Sequence, residues 1–187
     1  MLEGRPLKVV ERRDGAGSTP IPRDGLVLSY GGPSPPDTLN RLAPGVVVQI
    51  IPQYKVLLGS ELSVWQNAYD AVAGAGLLLY RGGIAADWKV EDLRAGFDTE
   101  RHPRTMIGVD GRGGAWLVAV DGRQPGYSMG MTFKELQQLA LRLRLRDALN
   151  LDGGGSTTMV VGDAIVNRPS DPQGPRKVSD ALIVVPR

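Results

Sequence analysis

The chain has 187 residues, enough for one domain with a sizeable core, and its 42% apolar and 22% charged residues are ordinary for a folded protein. A net charge of +2, scattered basic residues and 5% aromatics argue against the cationic, base-stacking surface of a nucleic-acid binder. With no cysteine there is no disulfide framework, no thiol nucleophile and no thiolate metal site. No apolar run approaches the roughly 20 residues of a membrane span. The opening MLEGRPLKVVERRDG lacks the apolar stretch of a signal peptide.

Twenty-five glycines and fourteen prolines punctuate many short strands. In chain order, strands are predicted near 7–12 and 25–30, with loops at 15–23 and 31–36 and a short helix after Asp37. Strands near 45–51 and 54–59 lead to a second short helix over 63–72 and a strand at 76–80. Strands at 105–109 and 115–121 form a hairpin through Asp110-Gly111-Arg112-Gly113-Gly114. The main helix runs from Thr132 to about Leu145. Thr132 and Glu135 supply a capping box, and Phe133, Leu136, Ala140 and Leu143 supply one apolar face. Strands follow at 147–151, 157–161 and 164–167, the last two joined by Gly162-Asp163, and a final one at 180–185. Nothing repeats and no linker divides the chain. The expectation is a single α+β domain over 1–187, with mostly antiparallel strands, one main helix (about 132–145) and a few short ones.

Four polar clusters interrupt this pattern: Glu100 to Thr105, Asp121-Gly122-Arg123, the loop Asp152 to Thr158, and Asn167 to Asp171 with Arg176 and Lys177 beyond. Each sits at a strand end, where a shared sheet rim would gather them into one cleft. Arg104, Arg123 and Arg176 are natural anion ligands, because a guanidinium fork matches phosphate oxygens bidentately. Spacing alone serves equally well for solvated strand-end charges.

The loop NLDGGGSTTMVV, residues 150–161, is the most unusual stretch. Gly153, Gly154 and Gly155 allow close approach of other groups, and Asp152, Ser156, Thr157 and Thr158 surround them with a carboxylate and three hydroxyls. Asp152 is the leading candidate carboxylate, although an Asx turn that only caps its own backbone explains it too. A glycosidase pair would need a second acid, for which Asp121, Glu100 and Asp171 are candidates. His102 is the only histidine; Ser156 lies outside any G-x-S-x-G elbow, which disfavours a serine-hydrolase triad. Asp152, Asn150 and Asp121 are oxygen donors of the kind calcium or magnesium takes, at no spacing that specifies either, so no cofactor is assigned. A nucleotide-binding loop is absent.

The ordered set HPRTMIGVD, VDGR, GMTFKELQQLA, DALNLDGGGSTTMV, VNRPSD and PRKVSDALIVV, with GAGLLLYRGG at 74–83, resembles the phosphodiester glycosidase family across residues 71–187. Bacterial members are labelled exopolysaccharide-biosynthesis proteins. The resemblance implies a hydrolase that cleaves a sugar 1-phosphodiester at the anomeric carbon and leaves a phosphomonoester. It implies a glycan partner and an exported or cell-envelope location, and it carries no membrane segment or nucleic acid. Family motif positions fall on Arg104, Asp121, Arg123, Asp152, Gly153, Gly154, Gly155, Ser156, Asn167 and Arg176, without assigned roles. The candidate catalytic set is Asp152, Asp121 and Arg104. The candidate substrate and phosphate set is Arg123, Arg176, Gly153, Gly154, Gly155, Ser156, Thr157, Asn167 and His102. The competing reading is a non-catalytic carbohydrate or sugar-phosphate binding module built on the same arginines and glycine loop. Family members usually carry a further N-terminal segment with an Asn-containing glycine/aromatic motif, which 1–70 lacks. A phosphodiester glycosidase-like domain without that segment is expected.

Overall fold

The structure is a computed structural model and describes residues 5–51, 63, 67, 71–85 and 87–185. Two units emerge, residues 1–70 and 71–187.

In the first unit, β1 (Pro6–Lys8) pairs antiparallel with β2 (Val47–Gln49), and α1 (Asp37–Asn40) is a single short turn. Arg12 donates to the carbonyl oxygens of Leu39 and Asn40 at the end of that turn. None of its described residues is fully buried. The apolar run at 25–30 forms no strand, and Leu28 and Tyr30 are exposed. Strand propensity describes a side chain that fits a half-buried pleat, and without a partner ladder it decides nothing. The strand predicted at 54–59 lies outside the described residues, as does most of the helix predicted at 63–72.

The second unit holds the core. Strands β3 (Leu77–Tyr80), β4 (Gly83–Ile84), β5 (Arg104–Asp110), β6 (Ala115–Val120) and β7 (Leu145–Asn150) form an antiparallel sheet in the order β4-β3-β7-β5-β6. A 3-10 turn at Lys89–Glu91 follows β4. Helix α2 (Phe133–Arg142) covers one face. Its capping box forms as predicted, with Thr132 Oγ1 accepting from the Glu135 amide and the Glu135 carboxylate accepting from the Thr132 amide at 2.9 Å. Phe133, Leu136 and Ala140 join Leu78, Leu79, Trp88, Met106, Leu145 and Ala148 in the buried cluster.

The helix stops earlier than the predicted 145. Arg144 takes a left-handed backbone, φ +58°, just past the C-cap Leu143, which turns the chain straight into β7. Beyond β7, a short 3-10 turn at Gly154–Ser156 leads to the hairpin β8 (Val160–Val161) and β9 (Ala164–Ile165). The run at 180–185 joins no ladder among the described residues. The outcome is the expected α+β class: antiparallel sheets, one main helix and a few short turns.

Candidate active site

Antiparallel pairing builds the site. Because β5 runs against both β6 and β7, its start lies beside the ends of both neighbours: Arg104 faces Val120, and Met106 faces Asn150. Segments 102–104, 121–123 and 152–156 therefore meet at one rim of the sheet.

Arg104 is buried to 1% exposure at this rim. Alternation along β5 turns it, with Met106, toward the helix face, where its guanidinium lies 4.5 Å above the Phe133 ring and 5.3 Å from that of Phe97. Nε donates to the Met131 carbonyl, and Nη2 to the carbonyls of Phe97 and Glu100, all at 2.8–2.9 Å. Desolvation, followed by repulsion from Arg123, lowers its pKa to about 10, which leaves it cationic at neutral pH. Arg104 thus knits the loop at 92–100 to the start of β5, while its remaining nitrogen, Nη1, makes no hydrogen bond among the described residues and its side chain lines the cleft.

Arg123 is held by a left-handed backbone, φ +57°, in the loop that leaves β6 and returns through paired His102 and Met131. Its Nε and Nη2 lie 3.4 and 3.2 Å from His102 Nδ1, and His102 Nε2 lies 3.4 Å from a Glu100 oxygen. This arrangement calls for the neutral tautomer, with Nδ1 accepting and Nε2–H donating. Burial, then Arg123 and Arg104, lower the His102 pKa, and Glu100 opposes them incompletely. The folded chain therefore binds fewer protons than the unfolded chain between the depressed value and about 6.5. Stability should be full above about pH 6.5 and fall as pH drops through that window. Urea midpoints of wild type should decline more steeply than those of His102→Asn, which cannot take up the proton; parallel profiles would remove His102 from the linkage.

The three glycines each meet a different neighbour. A Cβ at Gly153 would sit 2.7 Å from the Pro103 carbonyl oxygen, and one at Gly154 would sit 3.0 Å from the Arg123 guanidinium. A Cβ at Gly155 would fall 2.4 Å from both Arg176 Nη2 and the Asp171 carboxylate. The loop is pinned by the Gly154 amide, which donates to Pro103 O at 2.9 Å. Gly153→Ala must push backbone and should cost about 1–3 kcal/mol. Gly155→Ala meets only the ends of side chains, so it should leave stability nearly intact while disturbing Arg176. Paired denaturation curves would show whether the two variants differ in this way.

Asp152 is exposed, and its Oδ1 accepts from the Gly153 amide at 2.9 Å. Arg176 pairs with Asp171, Nε to Oδ2 at 2.9 Å. Asp121 is differently placed. Its Oδ1 accepts from Asn167 Nδ2 and the Arg168 amide, and its Oδ2 accepts from the Tyr127 hydroxyl. Asn167 in turn accepts from the Met159 amide and donates to the Thr157 carbonyl. Asp121 and Asn167 therefore tie the loops after β6, β7 and β9 together, with their polar atoms spent on protein partners. Thr157 is buried and accepts from the Thr105 hydroxyl at 3.2 Å. The Ser156 amide closes the 3-10 turn on Gly153 O.

A cleft of about 370 Å³ results, lined by Arg94, Phe97, His102, Pro103, Arg104, Arg123, Asp152, Gly153, Gly154 and Arg176. It unites Asp152 with the three predicted arginines and His102. Asp121, Gly155, Ser156, Thr157 and Asn167 stand behind or beside it. Arg94 and Phe97 carry no signal in the sequence, because tertiary contacts fold their loop onto the cleft: the Arg104 bonds to the Phe97 and Glu100 carbonyls, the Phe133 amide on Asp98 O and the Phe97–Phe133 ring contact. Among the described residues no three His, Asp or Glu side chains gather as a metal-holding group. Asn150, one of the three oxygen donors considered for a cation, is buried with its amide nitrogen bonded to Ala75 O and Leu151 O. No helix of the described residues is long and apolar enough to cross a membrane.

The family model for phosphodiester glycosidase matches residues 8–185. The chain belongs to that family. As a phosphodiester glycosidase family member it is similar to N-acetylglucosamine-1-phosphodiester alpha-N-acetylglucosaminidase of Bos taurus and of Homo sapiens, 34% identical over 87 residues in each case. That match covers 43% of this chain and 16% of each relative, so the chain spans a minor part of the length of the curated proteins it resembles. Among solved structures, a hypothetical protein from Synechocystis is 25% identical with a TM-score of 0.58, covering 91% of this chain and 32% of the other. The catalytic domain of the zebrafish N-acetylglucosamine-1-phosphodiester alpha-N-acetylglucosaminidase, auto-inhibited by its pro-peptide, is 28% identical with a TM-score of 0.47, covering 53% of this chain and 34% of that one.

Proposed function

We propose that the cleft hydrolyses a sugar 1-phosphodiester at the anomeric carbon and releases a phosphomonoester, acting on an exported or cell-envelope glycan. The observation that carries this reading is that Asp152 is, among the described residues, the one carboxylate lining a cleft that four arginines also line. An ordinary glycoside needs two carboxyl groups, one of them to protonate the leaving oxygen. A phosphate ester leaves as a stabilised anion and needs little proton donation. Guanidinium groups then do the greater part, by stabilising charge that builds on the departing phosphate. Arg123, the free edge of Arg104 and Arg176 are assigned to that phosphate.

Asp152 is assigned to the anomeric side, with two routes in principle: attack on the carbon, or removal of a proton from an attacking water. The first leaves a glycosyl ester whose hydrolysis needs a second acid–base group. With Asp121 spent on Asn167, Arg168 and Tyr127, the arrangement favours the water route. Water then adds to the anomeric carbon, its proton passes to Asp152, and the carbon–oxygen bond to phosphate breaks with its electron pair on the phosphate. An α-linked substrate would give the β-sugar first.

The test is incubation with an α-linked N-acetylglucosamine 1-phosphodiester, following the phosphomonoester by phosphorus NMR and the first anomer by proton NMR. Phosphomonoester release supports the reading. A substrate-induced rise in melting temperature without product would instead identify the binding module.

A further inference from the structure

We propose that Arg94 makes the cleft selective for doubly charged phosphomonoesters over singly charged phosphodiesters, so that the released phosphate and its mimics compete for the site. This rests on the preceding reading of the cleft as a phosphate site and adds what regulates it.

The inference follows from how each cation of the cleft is already engaged. Arg176 is neutralised by Asp171 at 2.9 Å. Arg104 spends Nε and Nη2 on three carbonyls and keeps its charge, which Asp98 offsets in part. Arg123 leans on His102, whose lowered pKa keeps it neutral at working pH, so its charge is also uncompensated. Against these two stand Asp152 in the lining and Asp98 beside Arg104. Without Arg94 the cleft would carry at most one surplus positive charge, no more than a phosphodiester monoanion matches.

Arg94 adds a second. It lines the cleft, is exposed, and makes no ion pair or side-chain hydrogen bond among the described residues. Of its acidic neighbours in sequence, Glu91 accepts from the Gly76 and Leu77 amides on the β3 side, and neither Asp92 nor Asp98 forms an ion pair with it among the described residues. Its backbone is firmly placed, with Arg94 O accepting from the Phe97 amide at 3.0 Å and Gly96 O from the Glu100 amide at 2.8 Å. Arg104 then bonds to the carbonyls of Phe97 and Glu100. An exposed side chain on a hydrogen-bonded loop can reach a bound phosphate at little ordering cost to the backbone. A phosphomonoester is doubly charged above its second pKa of about 6 and offers three oxygens, whereas a diester offers two and one charge. The additional guanidinium therefore favours product over substrate.

The experiment is calorimetric titration of the full chain at about pH 8 with phenyl phosphate, a dianion, and methyl phenyl phosphate, a monoanion with no sugar to cleave. Wild type should bind the monoester about tenfold more tightly, a difference of about 1.4 kcal/mol. Arg94→Gln should bring the two affinities within about twofold, and Arg94→Lys should retain most of the preference because charge sets it. Asp152→Asn should keep the preference while losing turnover of the sugar diester. An unchanged ratio in Arg94→Gln overturns the inference, as does wild type with no preference or no binding of either ester. Preference without turnover of any sugar diester would instead count against the hydrolase reading and leave the role of Arg94 standing.

Discussion

Replacing Asp152 with Asn should reduce turnover of a sugar phosphodiester by at least about a thousandfold, because the base or nucleophile at the anomeric carbon is gone. The fold should not notice. Asp152 is exposed, and its one hydrogen bond among the described residues is the Gly153 amide donated to Oδ1, which an asparagine oxygen accepts as well. Stability is therefore expected within about 0.5 kcal/mol of wild type. Binding of a phosphate ligand should hold or tighten, since the substitution removes a negative charge from a cationic cleft. Product release, denaturation and titration on the same two proteins check all three statements. Turnover at the wild-type rate would remove Asp152 from catalysis and leave its bond from the Gly153 amide as its whole role. Lost turnover with lost stability would mean that the carboxylate holds the glycine loop.

Arg104→Met has the largest expected effect on stability. The buried guanidinium satisfies the carbonyls of Met131, Phe97 and Glu100 and stacks on Phe133 and Phe97. Methionine fills much of the volume but donates nothing, so the Phe97 and Glu100 carbonyls lose the partner described for them and the Met131 carbonyl keeps only the His102 amide at 3.3 Å. An unmade buried acceptor costs about 1–3 kcal/mol, less at these part-buried carbonyls, and the loss is partly offset because a charge no longer needs burying. A net loss of about 3 kcal/mol is expected, which is a fall of roughly 10 °C in Tm. Arg104→Lys should recover little of it, because one ammonium cannot span carbonyls contributed by two different loops. Activity should fall in both, through Arg104 itself and through the loosened loop at 92–100. Unaltered stability with lost activity would make Arg104 a ligand alone and overturn its structural assignment.

Arg104 also shows how far one sequence can be read. A charged residue opening an apolar strand is legible as a candidate ligand, and residue type is all that inference needs. That the same group is the keystone of the loop carrying Arg94 and Phe97 is not legible, because its carbonyl partners are generic backbone atoms. Asp121 shows the same limit from the other side. It stands at a strand end in a recurrent motif, which marks it for chemistry, yet Tyr127, Asn167 and the Arg168 amide occupy both its oxygens. A side chain that braces a site and one that acts within it leave the same mark in sequence.

Local interactions decided what the sequence determined by itself. The Thr132–Glu135 box started the helix, and the Asp110–Gly114 and Gly162–Asp163 turns closed their hairpins, because each depends on residues within a few positions. The ordered motifs likewise indicated the family. Tertiary structure alone decided the rest. Whether 25–30 and 180–185 become strands depends on partner backbones, and neither finds one among the described residues. Which polar residues share the cleft depends on β5 lying antiparallel between β6 and β7, a pairing between segments far apart in sequence. The three glycines mark the boundary between the two kinds of information. Their number announced a close approach, and only the assembled sheet rim showed that Pro103, Arg123 and the Arg176–Asp171 pair are what approach them.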